Sequence, residues 1–96
     1  MEFEWDEVKR QENLRKHSLE FVDAELLFNG PMLSRLDTRE DYNESRRVGI
    51  GFIESVCVVI AFTERRNGEV IRIISLRKAL NHERETFEKM IKDELG

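Results

Sequence analysis

Four cations lie close together near the ends of two apolar segments in the second half of the chain. They are Arg65 in VVIAFTER and Arg72, Arg77 and Lys78 in VIRIISLRK. An arginine guanidinium stays charged and pairs with a phosphate at two points, and a lysine adds a point charge. These residue types are suited to a phosphate-binding surface. The alternative is that they are solvated strand ends, with Glu64 and Arg72 forming a cross-strand ion pair.

Few side chains in the sequence are suited to carry protons at such a surface. Histidine is the best suited by its intrinsic pKa, and the chain has two, His17 and His82. His17 follows Lys16 at the end of a predicted helix, so its alternative role is to satisfy terminal carbonyls. His82 is expected to be exposed. The single cysteine, Cys57, lies in the apolar segment VCVVIAF and is predicted to be a buried, inert thiol.

Composition limits the class of protein. A chain of 96 residues with 40% hydrophobic and 38% charged residues predicts one folded domain over residues 1–96. No apolar run is long enough for a membrane helix, and the N-terminus is acidic, which argues against a signal peptide. The net charge is −4, but residues 46–96 carry ten bases against eight acids. We therefore expect a cytoplasmic protein. The modest charge asymmetry permits a local basic site without establishing one, and neither a cofactor nor a metal motif is present in the sequence.

The N-terminal third predicts one short strand and two helices. FEW (3–5) alternates, Asp6 is a suitable helix N-cap, and the helix after it ends at His17. A second helix is predicted in LEFVDAELLF (19–28), followed by NGP, in which proline cannot continue a helix. Its apolar stripe consists of Phe21, Ala24, Leu27 and Phe28.

From Pro31 onward the apolar pattern has a period of two residues. The predicted strands are MLSRLDT, RRVGIGFI, VCVVIAFTER and VIRIISLRK, joined by the polar turn REDYNES, a tight turn at Glu54-Ser55 and the hairpin signal Asn67-Gly68. Gly49 and Gly51 share one strand face, which predicts close approach of a helix or backbone there. A last helix from about Asn81 carries Phe87, Met90, Ile91 and Leu95 at helical spacing.

The predicted fold class is α+β, with a small antiparallel sheet of four to five strands, two N-terminal helices and one C-terminal helix. Strict alternation along VIRIISLRK places Arg72 and Lys78 on one face and Arg77 on the other. A hairpin turning at Asn67-Gly68 places Glu64 and Arg65 roughly opposite Ile71 and Arg72.

Five segments, in order, resemble the BrnT family of toxins. They are FEWDEVK with the later Asn13, Lys16-His17 and Phe21, then REDYNESRRVGIG, VVIAFTER, IRIISLRKA and ERETF, which together span Met1 to about Glu88. The resemblance implies a fold like that of RelE-type ribonucleases. It further implies RNA cleavage that arrests growth. The implied partner is a BrnA-type ribbon-helix-helix antitoxin, through which alone the toxin would reach operator DNA.

The resemblance also implies roles for individual residues. Arg65, Arg72 and Arg77 match the TER, IRI and LRK positions, so the implied role is phosphate binding, and Lys78 would add a point charge. Glu64 and Glu83 match as well, and each is implied either as a base or as a group that holds an arginine. His17 remains the candidate proton carrier.

One position departs from the family pattern. The closing aromatic, often tyrosine in this family, is Phe87 here and cannot transfer a proton, so it is predicted to be a core residue. Tyr42, the only tyrosine, is assigned no chemistry. Two functions stay open at this point: a metal-independent ribonuclease toxin, and a non-catalytic subunit whose strands pack an antitoxin.

Overall fold

The computed structural model describes residues 1–39 and 44–95, and these residues form five strands, three α-helices and one 3-10 helix. The strands are β1 (Glu2–Trp5), β2 (Met32–Leu36), β3 (Arg46–Ile53), β4 (Val56–Arg65) and β5 (Val70–Lys78). The α-helices are α1 (Glu7–His17), α2 (Glu25–Asn29) and α3 (Asn81–Leu95), and the 3-10 helix is Phe21–Ala24. No α-helix of the described residues is long and apolar enough to cross a bilayer. The order of elements agrees with the prediction.

The five strands form one mixed sheet with the order β1-β5-β4-β3-β2. The last four strands pair antiparallel as expected, but β1 pairs parallel to β5, with Phe3 opposite Ile71 and Trp5 opposite Ile73. The prediction of a purely antiparallel sheet is therefore wrong. The physical reason is that β1 is separated in sequence from β5 by the whole meander, so no hairpin fixes its direction.

The main core lies on one face of the sheet, under the helical segment that follows α1. Phe21, Ala24 and Leu27 from this segment are fully buried against the strand residues Val58, Ile60, Phe62, Ile71, Ile73 and Leu76. Leu27 approaches Gly51 so closely that a Cβ on that glycine would lie 3.1 Å from Leu27 Cδ2. The predicted close approach of a helix at this glycine is confirmed.

The helix predicted over residues 19–28 is only partly α-helical. Its first half is the 3-10 helix, and α2 then occupies five residues. Phe21 and Ala24 are three residues apart, and a helix with three residues per turn places both on the same face. The 3-10 helix therefore presents both residues to the core where a regular α-helix was expected.

The turns follow the sequence where the structure describes them. Glu54 joins β3 to β4 with a φ of 56°. The hairpin between β4 and β5 has a loop of Arg66 to Glu69 in which Gly68 has a φ of 88°. The predicted turn REDYNES, with Tyr42, lies partly outside the described residues.

Helix α3 packs on the opposite face of the sheet through Phe87. Phe87 is 1% exposed, and its ring centroid lies 5.6 Å from that of Phe52 on β3. The guanidinium of Arg84 also lies over the Phe52 ring, 5.7 Å from its centroid. Met90 on the same helix is 48% exposed. Phe87 therefore supplies the buried apolar contact of this helix with the sheet. Its prediction as a core residue is confirmed.

Replacing Phe87 with alanine should lower the free energy of unfolding by about 3–5 kcal/mol, because a buried aromatic would leave a cavity against Phe52. Met90→Ala on the same helix is the matched control and should cost about 1 kcal/mol or less. Urea unfolding followed by circular dichroism measures both. Equal effects of the two changes would show that α3 does not rest on Phe87.

Candidate functional site

An extra residue in β5 decides which cations share a face of the sheet. Phe62 lies opposite Ile73 and Ala61 lies opposite Ser75, so Ile74 has no partner on β4. This is a β-bulge, which shifts the alternation of side chains by one residue. The bulge falls between Arg72 and Arg77.

The bulge brings Arg72 and Arg77 onto the same face. Arg72 lies opposite Thr63 and Arg77 opposite Val59. Thr63 and Val59 are four residues apart on β4, so their side chains point the same way. The prediction that Arg72 and Arg77 lie on opposite faces is wrong, because strict alternation does not hold across a bulge.

Asn13 of α1 satisfies the backbone just beyond the bulge. β1 pairs with β5 only as far as Ile73, which leaves the next part of this edge of β5 without a strand. The Asn13 side-chain oxygen accepts a hydrogen bond from the Leu76 N–H at 3.0 Å, and Asn13 is only 6% exposed. A buried N–H without a partner costs about 1–3 kcal/mol, so this contact stabilises the bulged edge.

One row of residues crosses four strands on the face that Arg72 and Arg77 share. Glu4, Arg72, Thr63 and Arg46 lie side by side on β1, β5, β4 and β3. Arg65 lies two residues after Thr63 and has the same orientation. We call the surface formed by Arg46, Arg65, Arg72 and Arg77 the arginine face.

Two carboxylates, Glu4 and Glu44, lie near Arg65 and Arg72 at distances longer than a good hydrogen bond. Glu4 Oε1 is 3.5 Å from Arg65 Nε and 3.8 Å from Arg72 Nη1. Glu44 Oε2 is 3.9 Å from Arg65 Nη2. Pairs at these distances and exposures contribute little to stability. Arg65 and Arg72 are thus held near the face while their donors stay available.

A buried hydroxyl lies between two of the arginines. Thr63 is 2% exposed, and its Oγ1 has no hydrogen-bond partner among the described residues. Its neighbours across the strands are Arg72 and Arg46. Unsatisfied buried polar groups are rare, and they are found at strained or functional positions.

Arg77 differs from the other arginines because it is tightly paired. Its Nη1 and Nη2 each donate to one oxygen of the Glu83 carboxylate at 2.8 Å. Glu83 Oε1 also accepts a hydrogen bond from the Leu80 N–H at 2.8 Å, which caps the start of α3. Hydrogen bonds from Arg77 and from Leu80 lower the pKa of Glu83 to about 2. Of its two implied roles, the geometry favours holding an arginine.

Two of the predicted residues, Glu64 and Lys78, lie on the other face of the sheet. Glu64 is 3.9 Å from Arg47 Nε, opposite Ile71 of the core, so the expected Glu64–Arg72 ion pair is wrong. Arg65 lies opposite Val70 rather than Arg72. Lys78 lies opposite the core residue Val58, so the bulge places it on the other face from Arg72.

His17 is separate from these cations. It is the last residue of α1 and is half-buried, and Ser18 rather than His17 caps the helix, with its N–H donating to Leu14 O at 2.9 Å. Within residues 1–39 and 44–95, no hydrogen bond or ion pair joins the His17 side chain to the other predicted residues. His82 is exposed in the first turn of α3, as expected.

A further arginine approaches this surface from the segment after β2. Arg39 Nε and Nη2 donate to the two oxygens of Asp37 at 2.9 Å, and the Asp37 side chain is fully buried. The hydrogen bonds to Glu83 raise the pKa of Arg77, and the positive charge of Arg39 partly opposes this rise. Arg39 therefore adds positive charge near Arg77.

A cavity of about 500 Å³ lies between α3 and β2–β3 beside Glu83. Its walls include Leu33, Val48, Ile50 and Phe87, with Arg35 and His82 at its rim. In the part of the chain that the structure describes, no group of three or more His, Cys, Asp or Glu side chains could hold a metal ion.

Sequence reasoning missed Glu4, Arg46 and Thr63. For Glu4 a signal was present: it lies between Phe3 and Trp5 in FEW, so burial of both aromatics must place it on the opposite face. Arg46 and Thr63 could not be assigned, because their alignment with Arg72 depends on the register across three strands.

The fold and the site together define a small α+β protein with a cationic sheet face suited to anionic groups. Residues 5–83 match the family described as "Ribonuclease toxin, BrnT, of type II toxin-antitoxin system". This chain belongs to that family. Among solved structures it is similar to the crystal structure of the Brucella abortus ribonuclease toxin BrnT, with 27% identity and a TM-score of 0.63 over 84% of this chain and 99% of that one. No curated protein matches the chain.

The Arg77–Glu83 pair should make stability depend on pH. The folded-state pKa of Glu83 is lowered from 4.5 to about 2, so its contribution is present above about pH 4.5 and is lost as pH falls towards 2. Allowing for solvent screening, we expect it to be on the order of 1–2 kcal/mol. The free-energy difference between wild type and Glu83→Gln, measured by urea unfolding, should shrink from pH 7 to pH 2. Glu85→Gln is the control from the same helix. A difference that stays constant with pH would contradict this role.

Proposed function

We propose that this chain is a ribonuclease toxin that cleaves RNA on the arginine face without a metal and thereby arrests growth. The observation that carries the proposal is the arginine face itself: the strand register places Arg72 with Arg65 and Arg46, and the bulge in β5 adds Arg77 to the same face. Membership of the BrnT family supports a toxin of a type II system. Kinship with RelE-type ribonucleases is part of the same proposal and rests on the family resemblance of the sequence.

Cleavage of RNA by its own 2′-hydroxyl needs positive charge around the phosphorane. Arg65 and Arg72 are the best phosphate ligands, because their ion pairs are 3.5–3.9 Å long and leave guanidinium donors for two-point contacts. Thr63 between Arg72 and Arg46 offers a hydroxyl donor to the same group. These cations supply the charge that a metal ion would otherwise supply.

Arg77 has a supporting role in this proposal. Its Nη1 and Nη2 both donate hydrogen bonds to the Glu83 carboxylate, so Arg77 holds the start of α3 against β5. Its charge still contributes to the positive potential of the arginine face. Glu83, with a pKa of about 2, is too weak a base to take a proton near neutrality.

The partner that we propose is a BrnA-type ribbon-helix-helix antitoxin in the cytoplasm, which silences this chain and alone contacts operator DNA. Residues 1–45 carry twelve acids and six bases, a surface suited to a basic antitoxin segment. A short adjacent reading frame that encodes such a protein would support the pairing.

The second candidate function is a non-catalytic subunit of a repressor complex. It is favoured by one observation: Arg65, Arg72 and Arg77 each have a carboxylate within 4 Å, as surface ion pairs do. The two functions differ in one measurable property. The toxin cleaves RNA when purified away from its antitoxin, and the subunit does not.

Arg72→Ala should slow RNA cleavage by about 10²–10³-fold and relieve growth arrest, with little change in melting temperature, because an interaction made mainly in the transition state is lost. Lys78→Ala is the matched control: it removes one cation from the same strand on the other face and should leave cleavage within about threefold. Cleavage of a labelled RNA is measured in EDTA alongside thermal melts. Equal cleavage by wild type and Arg72→Ala would contradict the proposed site, and no cleavage by wild type would favour the non-catalytic subunit.

A further inference from the structure

We propose that Glu4 is the general base that removes the proton from the RNA 2′-hydroxyl. The inference rests on the proposed ribonuclease function and deepens it, because the arginines explain how a phosphate is held but not where the proton goes. The sequence-based candidates for this step were His17, Glu64 and Glu83.

The position of Glu4 is set by the register of β1 on β5. Glu4 lies directly opposite Arg72, while its neighbours Phe3 and Trp5 pack against the core on the other face. Its side chain is 39% exposed, so it is open to a ligand that lies on the arginine face. It is the first member of the row that continues through Arg72, Thr63 and Arg46.

Glu4 lies close to two guanidiniums but makes no short hydrogen bond to either of them. Its Oε1 lies 3.5 Å from Arg65 and 3.8 Å from Arg72, beyond the range of a good charge-assisted hydrogen bond. A phosphate that pairs with both guanidiniums would replace this carboxylate as their partner. Glu4 would then lie beside the bound phosphate with its oxygens available to a hydroxyl.

The other carboxylates near this surface are less suited. Glu83 is held by two hydrogen bonds from Arg77, and these lower its pKa to about 2. Glu64 pairs with Arg47 on the other face. Glu44 contacts Arg65 alone, at 3.9 Å, and lies outside the row. Among the described residues, Glu4 is the carboxylate that lies within 4 Å of both Arg65 and Arg72.

The step balances without a cofactor. Glu4 takes the proton of the 2′-hydroxyl while the 2′-oxygen forms a bond to phosphorus. The bond from phosphorus to the 5′-oxygen breaks with its electron pair, and the 5′-oxygen takes a proton from solvent water. Glu4 then returns its proton to the solvent. The products are a 2′,3′-cyclic phosphate and a 5′-hydroxyl.

The test compares Glu4→Gln with Glu44→Gln in the full chain. Both changes remove one exposed carboxylate near Arg65, and their side chains are similarly exposed. Single-turnover cleavage is measured on a fluorescent single-stranded RNA, and binding on the same sequence with 2′-O-methyl groups. Melting temperatures show whether each variant is folded.

We expect Glu4→Gln to bind the methylated RNA at least as tightly as wild type, because a negative charge near the cations is removed. Its cleavage should nevertheless be slower by about 10²–10⁴-fold. Glu44→Gln should cleave within about threefold of wild type. A folded Glu4→Gln protein that cleaves at the wild-type rate or faster would overturn the role of Glu4 while leaving the ribonuclease intact. A wild-type chain that does not cleave would overturn the ribonuclease function itself.

Discussion

The register of β5 on β4, with its one unpaired residue Ile74, is the feature on which the arginine face depends. If Ile74 were paired in a regular ladder, Arg72 and Arg77 would lie on opposite faces of the sheet, and the cationic surface would not extend along β5. The bulge is stabilised from outside the sheet by Asn13, whose side chain accepts the Leu76 N–H where β1 has ended. A residue of the first helix, 63 positions away in sequence, thus stabilises the strand that presents the arginines.

The arginines on this face fall into two groups with different partners. Arg77 makes two short hydrogen bonds to Glu83, and these join the end of β5 to the start of α3. Arg65 and Arg72 make only long contacts with Glu4, so their guanidiniums can exchange that carboxylate for a phosphate at small cost. Tight pairing joins β5 to α3, and loose pairing leaves Arg65 and Arg72 with donors for the phosphate contacts that we propose.

The sequence predicted the elements well and the faces of β5 poorly. Apolar periodicity, the Asp6 cap and Asn67-Gly68 depend on local chemistry, so the order of strands and helices followed from the sequence. The side of β5 on which each cation lies depends on one extra residue, and neither the composition nor the period of VIRIISLRK marks where it falls. The parallel pairing of β1 has the same origin, because it depends on contacts distant in sequence. The same pairing places Glu4 beside Arg72, so the position of Glu4 could not be predicted from local sequence.

The central claim is that RNA lies on the arginine face. The most direct measurement is the titration of the arginine Nε–H resonances with a 2′-O-methylated RNA that cannot be cleaved. Binding on this face predicts shifts of Arg65 and Arg72, with Arg47 on the other face unchanged. Shifts confined to Arg47, with Arg65 and Arg72 unaffected at saturating RNA, would contradict it.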